Sequence, residues 1–154
     1  MLTSLRVLRL LAAAVWFGGL VFFAFILAPV AFSHLATHDA GTVVGASLRI
    51  LHSVGLVCAL ILIVTTLLLP RVRRTPKFLI VTGIMLLLTL YSQYRIFPQM
   101  DADRAIAGDI HPGLPCQNNA CSDFTRLHQR SEAIELFVLI GGLSLIEMLA
   151  MRED

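Results

Sequence analysis

The stretch VLRLLAAAVWFGGLVFFAFILAPVAF, residues 7–32, decides the fold class of this chain. It exceeds the ~20 apolar residues that an α-helix needs to cross the ~30 Å hydrocarbon core of a bilayer. Three further apolar runs follow it, so that the four runs are Val7–Phe32, Ala46–Leu69, Phe78–Phe97 and Ala133–Met151. Together they predict an all-α integral membrane protein, a four-helix antiparallel bundle whose last helix begins near residue 131.

The composition is that of a chain with almost no water-soluble part. Of its 154 residues, 57% are hydrophobic and only 14% are charged, and the mean hydropathy is +0.82. A soluble domain carries roughly 25% charged residues. We therefore expect a single membrane domain over residues 1–154, with one long loop at about 98–130. The net charge of +2 comes without a basic stripe that also contains aromatic residues. This pattern excludes a nucleic-acid partner and leaves the lipid bilayer as the main partner.

The basic residues of the short loop predict the orientation of the bundle. The loop Pro70–Lys77 reads PRVRRTPK and holds Arg71, Arg73, Arg74 and Lys77. Loops rich in Lys and Arg stay in the cytoplasm, and four crossings place both chain termini on the same side as this loop. We expect cytoplasmic N- and C-termini, a location in the cell inner (plasma) membrane, and a long loop on the extracytoplasmic side.

Two cysteines of the long loop bear on the same question. Cys116 and Cys121 stand in the sequence PCQNNAC, and an oxidising compartment would join them in a small disulfide hairpin. A zinc site that also uses His111, or a pair of free thiols, remains an open alternative, because this spacing alone is a weak zinc signal. We expect Cys58, inside the second run, to be a small core residue.

A row of ionisable residues lies where the fourth helix enters the membrane. His128, Glu132 and Glu135 follow one another at i, i+4 and i+7, which places them on one helical face. Ionisable side chains at membrane depth are rare and commonly functional. With His52 of the second helix they predict a metal site whose ligands are His52, His128, Glu132 and Glu135. The alternative is a structural ion pair, in which Arg95 or Arg49 neutralises Glu135.

Further polar residues are expected near this site and elsewhere in the bundle. A ligand-binding or structural polar layer at the same level would contain Arg49, Tyr91, Tyr94, Arg95 and Ser131.

At the opposite end we expect an ion pair between Arg9 and Glu147 that ties the first helix to the last. His34 and His38 have a spacing that suits a divalent metal if they share a helix. The segment follows Pro29, however, which favours surface histidines in a loop.

Four segments of the chain resemble a known family. They are LLAAAVWFGGLVFFAFILAPVAFSHL in the first span, LRILHSVGL in the second, YRIFPQM at the end of the third and FTRLHQRS before the fourth. In this pattern the chain resembles the transmembrane protein 205 family, a four-helix membrane domain of unknown function. A eukaryotic member is associated with platinum-drug tolerance, so the resemblance implies metal handling without implying a mechanism.

The first helix is also similar to the opening helix of copper-resistance D and HemJ-type membrane proteins. That resemblance implies a bundle that binds haem or handles copper. Those proteins commonly carry a His seven residues before the Trp of a W-x-G-G pattern, and here that position, counted back from Trp16, is Arg9. The difference disfavours a haem site of the HemJ type.

Three functions remain open from the sequence. The first is a metal- or cation-handling protein with an outward-facing His/Glu/Arg site, for which imidazole ligands favour copper or zinc as the cofactor. The second is a non-catalytic accessory subunit, bound to other membrane subunits or to copies of itself. The third is a haem-binding redox protein. The chain has no nucleophile elbow, phosphate-binding loop or H-E-x-x-H motif, so an enzyme is the less favoured class.

Overall fold

A computed structural model of the protein describes residues 2–69, 75–107, 116 and 118–151. Within this part of the chain the structure is all-helical and contains no strand. Four helices are long and apolar enough to span a membrane: α1 Leu2–His34, α2 Thr37–Leu68, α3 Pro76–Ala107 and α4 Asn119–Ala150. Three of the basic residues used for the orientation, Arg71, Arg73 and Arg74, lie outside the described residues, as does His111.

The four helices pack side by side as a ring. α1 contacts α2 and α4, and α3 contacts the same two helices from the other side. The largest fully buried side chains include Trp16, Leu62, Phe78, Met85 and Leu145, which come from all four helices. The core therefore lies along the common axis of the bundle.

Apolar side chains also cover the outside of the bundle. Phe25, Leu67, Leu87 and Phe137, one from each helix, are all at least 65% exposed. A surface of this kind is unfavourable in water and favourable against lipid tails. Together with the four long apolar helices, it suggests a multi-pass membrane protein.

Glycines allow the helices to approach closely at specific contacts. A Cβ atom added at Gly55 of α2 would lie 2.5 Å from Nε1 of Trp16 on α1. A Cβ atom at Gly142 of α4 would lie 2.8 Å from Cδ2 of Phe17 on the same helix α1. Close packing of this kind holds helices together where both faces are equally apolar.

Both α1 and α3 contain a π-helical turn just before a proline. The turn Phe23–Leu27 precedes Pro29, and the turn Ser92–Ile96 precedes Pro98. Proline has no backbone N–H and its ring clashes with the carbonyl four residues earlier. Widening the preceding turn accommodates that clash, and it shifts the register of the side chains in the turn.

The helices extend further than the apolar runs do. α2 begins at Thr37, α3 continues to Ala107 and α4 begins at Asn119, so most of the stretch predicted as a loop at 98–130 is helical. The end of α3 packs against the beginning of α4. The side chain of Asn118 caps α4 by accepting a hydrogen bond of 2.9 Å from the backbone N–H of Cys121. A helix of 32 residues measures ~48 Å, so its ends reach beyond the ~30 Å hydrocarbon core.

The Sγ atoms of Cys116 and Cys121 lie 2.08 Å apart, at disulfide distance, which confirms the predicted pair. The two-residue turn Leu35–Ala36 between α1 and α2 lies at the same end of the bundle, which we call the disulfide end. His34 ends α1 and His38 lies in the first turn of α2, so the two do not share a helix. Both are exposed, as expected of surface histidines.

Candidate functional site

A buried histidine links three helices near the disulfide end. His52 of α2 is only 2% exposed, and its Nε2 lies 2.5 Å from Oε1 of Glu135 on α4. Its Nδ1 lies 3.3 Å from Oε1 of Gln93, which belongs to the π-helical turn of α3. A neutral imidazole donates at one nitrogen and accepts at the other, whereas an imidazolium donates at both. Since Oε1 of Gln93 can only accept, Nδ1 of His52 donates to it. Nε2 then either accepts from a protonated Glu135 carboxyl or, in the imidazolium, donates to the Glu135 carboxylate.

Aromatic contacts hold the histidine in place. The rings of His52 and Phe97 stack with centroids 5.2 Å apart and an angle of 8° between their planes. The guanidinium of Arg49, one turn before His52 on α2, lies 5.5 Å from the centroid of the same Phe97 ring. Arg49 also donates from Nη2 to Oδ2 of Asp101 at 2.5 Å. Phe97, the first residue after the π-helical turn of α3, thus contacts both His52 and Arg49 of α2.

Glu135 keeps one oxygen without a partner in the described part of the chain. Its Oε1 contacts His52, but Oε2 is buried and has no hydrogen-bond partner among the described residues. A buried acceptor that has lost its water and gained no donor costs roughly 1–3 kcal/mol. Such a cost is tolerated where the group has a role other than packing.

A cavity of about 1010 Å³ lies beside these residues. One part of its lining is apolar and comes from α1 and α4, and includes Phe23, Ala28, Phe32, Leu136 and Leu139. The other part is polar and contains Arg49, Asp101, Arg104, His128, Ser131, Glu132 and Glu135. The cavity is therefore amphipathic, with Glu135 where the polar and apolar parts meet on α4.

The structure divides the four predicted metal ligands into two separate pairs. His52 binds Glu135 inside the bundle, whereas His128 binds Glu132 at 3.3 Å on the surface, where the two side chains are 45% and 66% exposed. Among the described residues, no group of three or more His, Cys, Asp or Glu side chains is placed to hold a metal ion. The predicted metal centre is therefore not supported. Each carboxylate that it required instead faces one of the imidazoles that were expected to bind the ion.

The predicted polar layer is brought together only in part. Arg49 and Ser131 line the cavity, and Ser131 is buried. Tyr91, Tyr94 and Arg95 instead lie on the exposed face of α3. The residue that binds Glu135 is therefore His52 and not Arg95 or Arg49, the two cations expected for a structural ion pair.

Sequence reasoning missed three residues of the site. Gln93, Asp101 and Arg104 were not singled out, although Gln93 is the only amide side chain between residues 78 and 97. A lone amide in an apolar run was a usable signal, because a polar group at that depth needs a partner. Asp101 and Arg104 were placed in the long loop, in a stretch that could form a short amphipathic helical turn, but their i, i+3 spacing on one helical face was not used.

The ion pair expected between Arg9 and Glu147, at the end of the bundle opposite the disulfide, stays a prediction. Arg9 is only 7% exposed, and its guanidinium lies 5.9 Å from the centroid of the Phe78 ring. Glu147 is exposed on α4.

One comparison with known proteins identifies the family. The profile described as "Domain of unknown function (DUF4149)" matches residues 11–105, which is more than half of the chain. The chain belongs to this family. The matched part holds His52, Gln93 and Arg104, whereas Glu135 and His128 lie beyond it. No curated protein and no solved structure matches this chain. The resemblances to the transmembrane protein 205 family and to the copper-resistance D and HemJ-type proteins stay expectations.

Proposed function

We propose that this member of the DUF4149 family binds a small amphiphilic molecule, taken from the bilayer, in the cavity at the disulfide end. The observation that carries the proposal is the cavity itself, whose lining is apolar on one side and charged on the other. A volume of about 1010 Å³ is at the upper end of the range typical of small-molecule sites, ~300–1,000 Å³. A ligand with an apolar chain and a polar head would match both parts of the lining.

The position of the apolar lining favours entry from lipid. Phe25 of α1 and Leu136 of α4 line the cavity and are 68% and 57% exposed. These side chains belong to the outward apolar surface that would face lipid tails in a membrane. A molecule dissolved in the bilayer would therefore reach the cavity between α1 and α4 without passing through water.

A hydrogen-bonded network stiffens the bundle beside the polar part of the cavity. His52 holds Glu135 and Gln93, so the positions of α2, α3 and α4 are coupled at this level. Residues locked by hydrogen bonds to neighbouring helices keep their geometry better than residues on loops. We assign to this network the role of holding the polar part of the cavity open and in shape.

Two independent features support an orientation for the bundle. The basic loop Pro70–Lys77 favours the cytoplasm, and the Cys116–Cys121 pair, at the other end, favours an oxidising compartment. Both favour a disulfide end that lies outside the cytoplasm, with the protein in the plasma membrane. The cavity would then open toward the extracytoplasmic leaflet.

Photolabelling tests the proposal. The purified protein is placed in phosphatidylcholine nanodiscs with a long-chain alcohol that carries a diazirine, and labelled peptides are mapped by mass spectrometry. We expect saturable labelling of the cavity lining on α1 and α4. Ala28→Trp fills the cavity and should lower that labelling several-fold. Ala14→Trp, on an exposed position of the same helix outside the cavity, should not.

Evenly distributed labelling would contradict the proposal. Labelling spread evenly over exposed positions such as Leu67 and Leu87, unchanged by Ala28→Trp, would show that the probe only samples the lipid. The cavity would then have no binding function.

A second candidate function is that of an accessory subunit. The exposed Tyr91 and Tyr94, at 50% and 65%, stand beside the exposed Arg95 on the outer face of α3, and Tyr and Arg are enriched in protein interfaces. Purification in a mild detergent would recover a larger assembly that Tyr94→Ala disrupts. A monodisperse single chain would exclude this candidate. Haem binding is not carried forward, because both ring nitrogens of His52 already face side-chain partners.

A further inference from the structure

We propose that Arg104 is the anion receptor of the cavity, and that the ligand is a single-chain amphiphile with a negatively charged oxyanion head. This inference rests on the proposed function and specifies the chemical class of its ligand. The head would bind Arg104, and the chain would lie along the apolar residues of α1.

Among the described residues, the charged groups around the cavity are paired, with the exception of Arg104. Arg49 binds Asp101 at 2.5 Å, His128 faces Glu132 at 3.3 Å, and His52 faces Glu135 at 2.5 Å. Arg104 differs from these, since no carboxylate of the described residues lies within ion-pair distance of its guanidinium. Each acid of the lining thus has a basic partner, whereas Arg104 has none in the described part of the chain.

Arg104 is held in place by contacts that leave its N–H donors free. Its guanidinium lies 5.0 Å from the centroid of the Phe124 ring on α4. On the other side it touches the backbone of α2, where a Cβ added at Gly41 would lie 2.8 Å from Nη2. The group therefore bridges α2 and α4 without hydrogen bonds to the described residues. A planar guanidinium fixed in this way presents two parallel N–H donors, the geometry that binds a carboxylate or phosphate.

The apolar part of the cavity is long enough for an alkyl chain. On α1 it extends from Leu20 to Phe32, which at 1.5 Å per residue is ~18 Å. The facing positions of α4 are polar between Phe124 and Leu136, where the lining contains Thr125, His128, Ser131, Glu132 and Glu135. An alkyl chain extended along α1 would therefore contact apolar side chains, while its head stays beside Arg104.

The three acids of the lining do not oppose this assignment. Asp101, one turn before Arg104 on α3, is paired with Arg49 and is 56% exposed. Glu132 is 66% exposed and faces His128, so solvent screens its charge. Glu135 lies 11 residues beyond Phe124 on α4, which is ~16 Å along the helix axis, and its bonded oxygen faces His52. An anionic head at Arg104 would thus lie far from the unpaired acceptor of Glu135.

The experiment compares two photoreactive probes of equal chain length in phosphatidylcholine nanodiscs. One is a diazirine fatty acid, ionised at the working pH, and the other is the corresponding fatty alcohol. Because a hydrogen bond to a charged group is worth roughly an order of magnitude or more in affinity, we expect the acid to saturate the cavity at ~10-fold lower concentration than the alcohol.

Variants assign that preference to one side chain. Arg104→Gln should remove the preference for the acid and leave labelling by the alcohol unchanged, which also shows that the bundle is intact. Arg104→Lys, which keeps the charge, should retain a measurable preference. Arg126→Gln is the matched control, since Arg126 is exposed, binds Asp123 at 2.9 Å and does not line the cavity. It should behave as the unmodified protein does.

The labelling results distinguish a failure of the inference about Arg104 from a failure of the proposed function. If the alcohol and the acid label the cavity equally well in the unmodified protein, Arg104 is not an anion receptor, while the binding function stands. If neither probe labels the cavity, the proposed function itself fails. If Arg126→Gln lowers the preference as much as Arg104→Gln does, general surface charge is responsible and the inference about Arg104 is wrong.

Discussion

Replacing His52 by Ala should destabilise the bundle more than any other single truncation at the disulfide end. The imidazole is 2% exposed and contacts Glu135, Gln93 and the Phe97 ring. Its removal deletes all three interactions together. It also leaves the Glu135 carboxylate, which already has one unsatisfied oxygen, without its remaining partner.

The magnitude follows from these contacts. Hydrogen bonds between membrane helices are worth ~0.6 kcal/mol each on average, so the two bonds of His52 account for only ~1 kcal/mol. Breaking a buried pair while leaving one charge behind costs ~3–5 kcal/mol. We therefore expect His52→Ala to lower the free energy of unfolding by ~3–5 kcal/mol. In the double variant His52→Ala/Glu135→Ala, which leaves no buried carboxylate, part of this loss should be recovered.

A double-mutant cycle measures this coupling. Unfolding in bicelles is followed for the two single variants and the double variant, and the coupling energy is the departure from additivity. His128 and Glu132 supply the comparison, because they are also a histidine–glutamate pair but lie one turn apart on the exposed face of α4. We expect a coupling of ~2 kcal/mol for the buried pair and below ~0.5 kcal/mol for the exposed pair. Equal couplings for the two pairs would refute the reasoning, since burial would then make no difference.

Two further predictions concern packing and the cysteines. Gly55→Ala places a Cβ atom 2.5 Å from Nε1 of Trp16 and should lower the thermal midpoint through overpacking of ~1–3 kcal/mol. Gly83→Ala, where an added Cβ meets open space, should leave the midpoint unchanged or raise it, and the opposite order would contradict the helix contacts. Without reductant, denatured protein from cells should show no alkylation of Cys116 or Cys121 in peptide mass spectrometry. Two alkylated thiols there would show that the pair is not oxidised in the cell.

The helices were predictable from the sequence, but their ends were not. Apolar length alone locates a membrane helix, because the bilayer core requires ~20 apolar residues. Residues 98–107 and 119–130 have mixed polarity, so hydropathy cannot separate a helix that projects into water from a loop. The π-helical turns before Pro29 and Pro98 also escape hydropathy, since a wider turn leaves composition unchanged.

The depth of the polar residues in the bundle was predictable, but which side chains contact one another was not. His52 and Glu135 were singled out because ionisable groups at depth need a reason to be there, and the structure brings the two into contact. Which partner each would have depends on the rotation of every helix about its axis. The π-helical turn of α3 alters that rotation, so Gln93 faces inward while Tyr94 and Arg95 face outward. The sequence alone contains no distances between helices, so it does not determine which partner each residue contacts.

The central claim is that an amphiphilic molecule occupies the cavity between α1 and α4 at the disulfide end. The most direct measurement is a cryo-electron microscopy map of the protein in lipid nanodiscs, with a bound antibody fragment to aid alignment. The account predicts an elongated density that begins beside Arg104 and runs along α1 toward Leu20. A map in which α1 and α4 close upon each other at this level, or in which the space is empty, would contradict it.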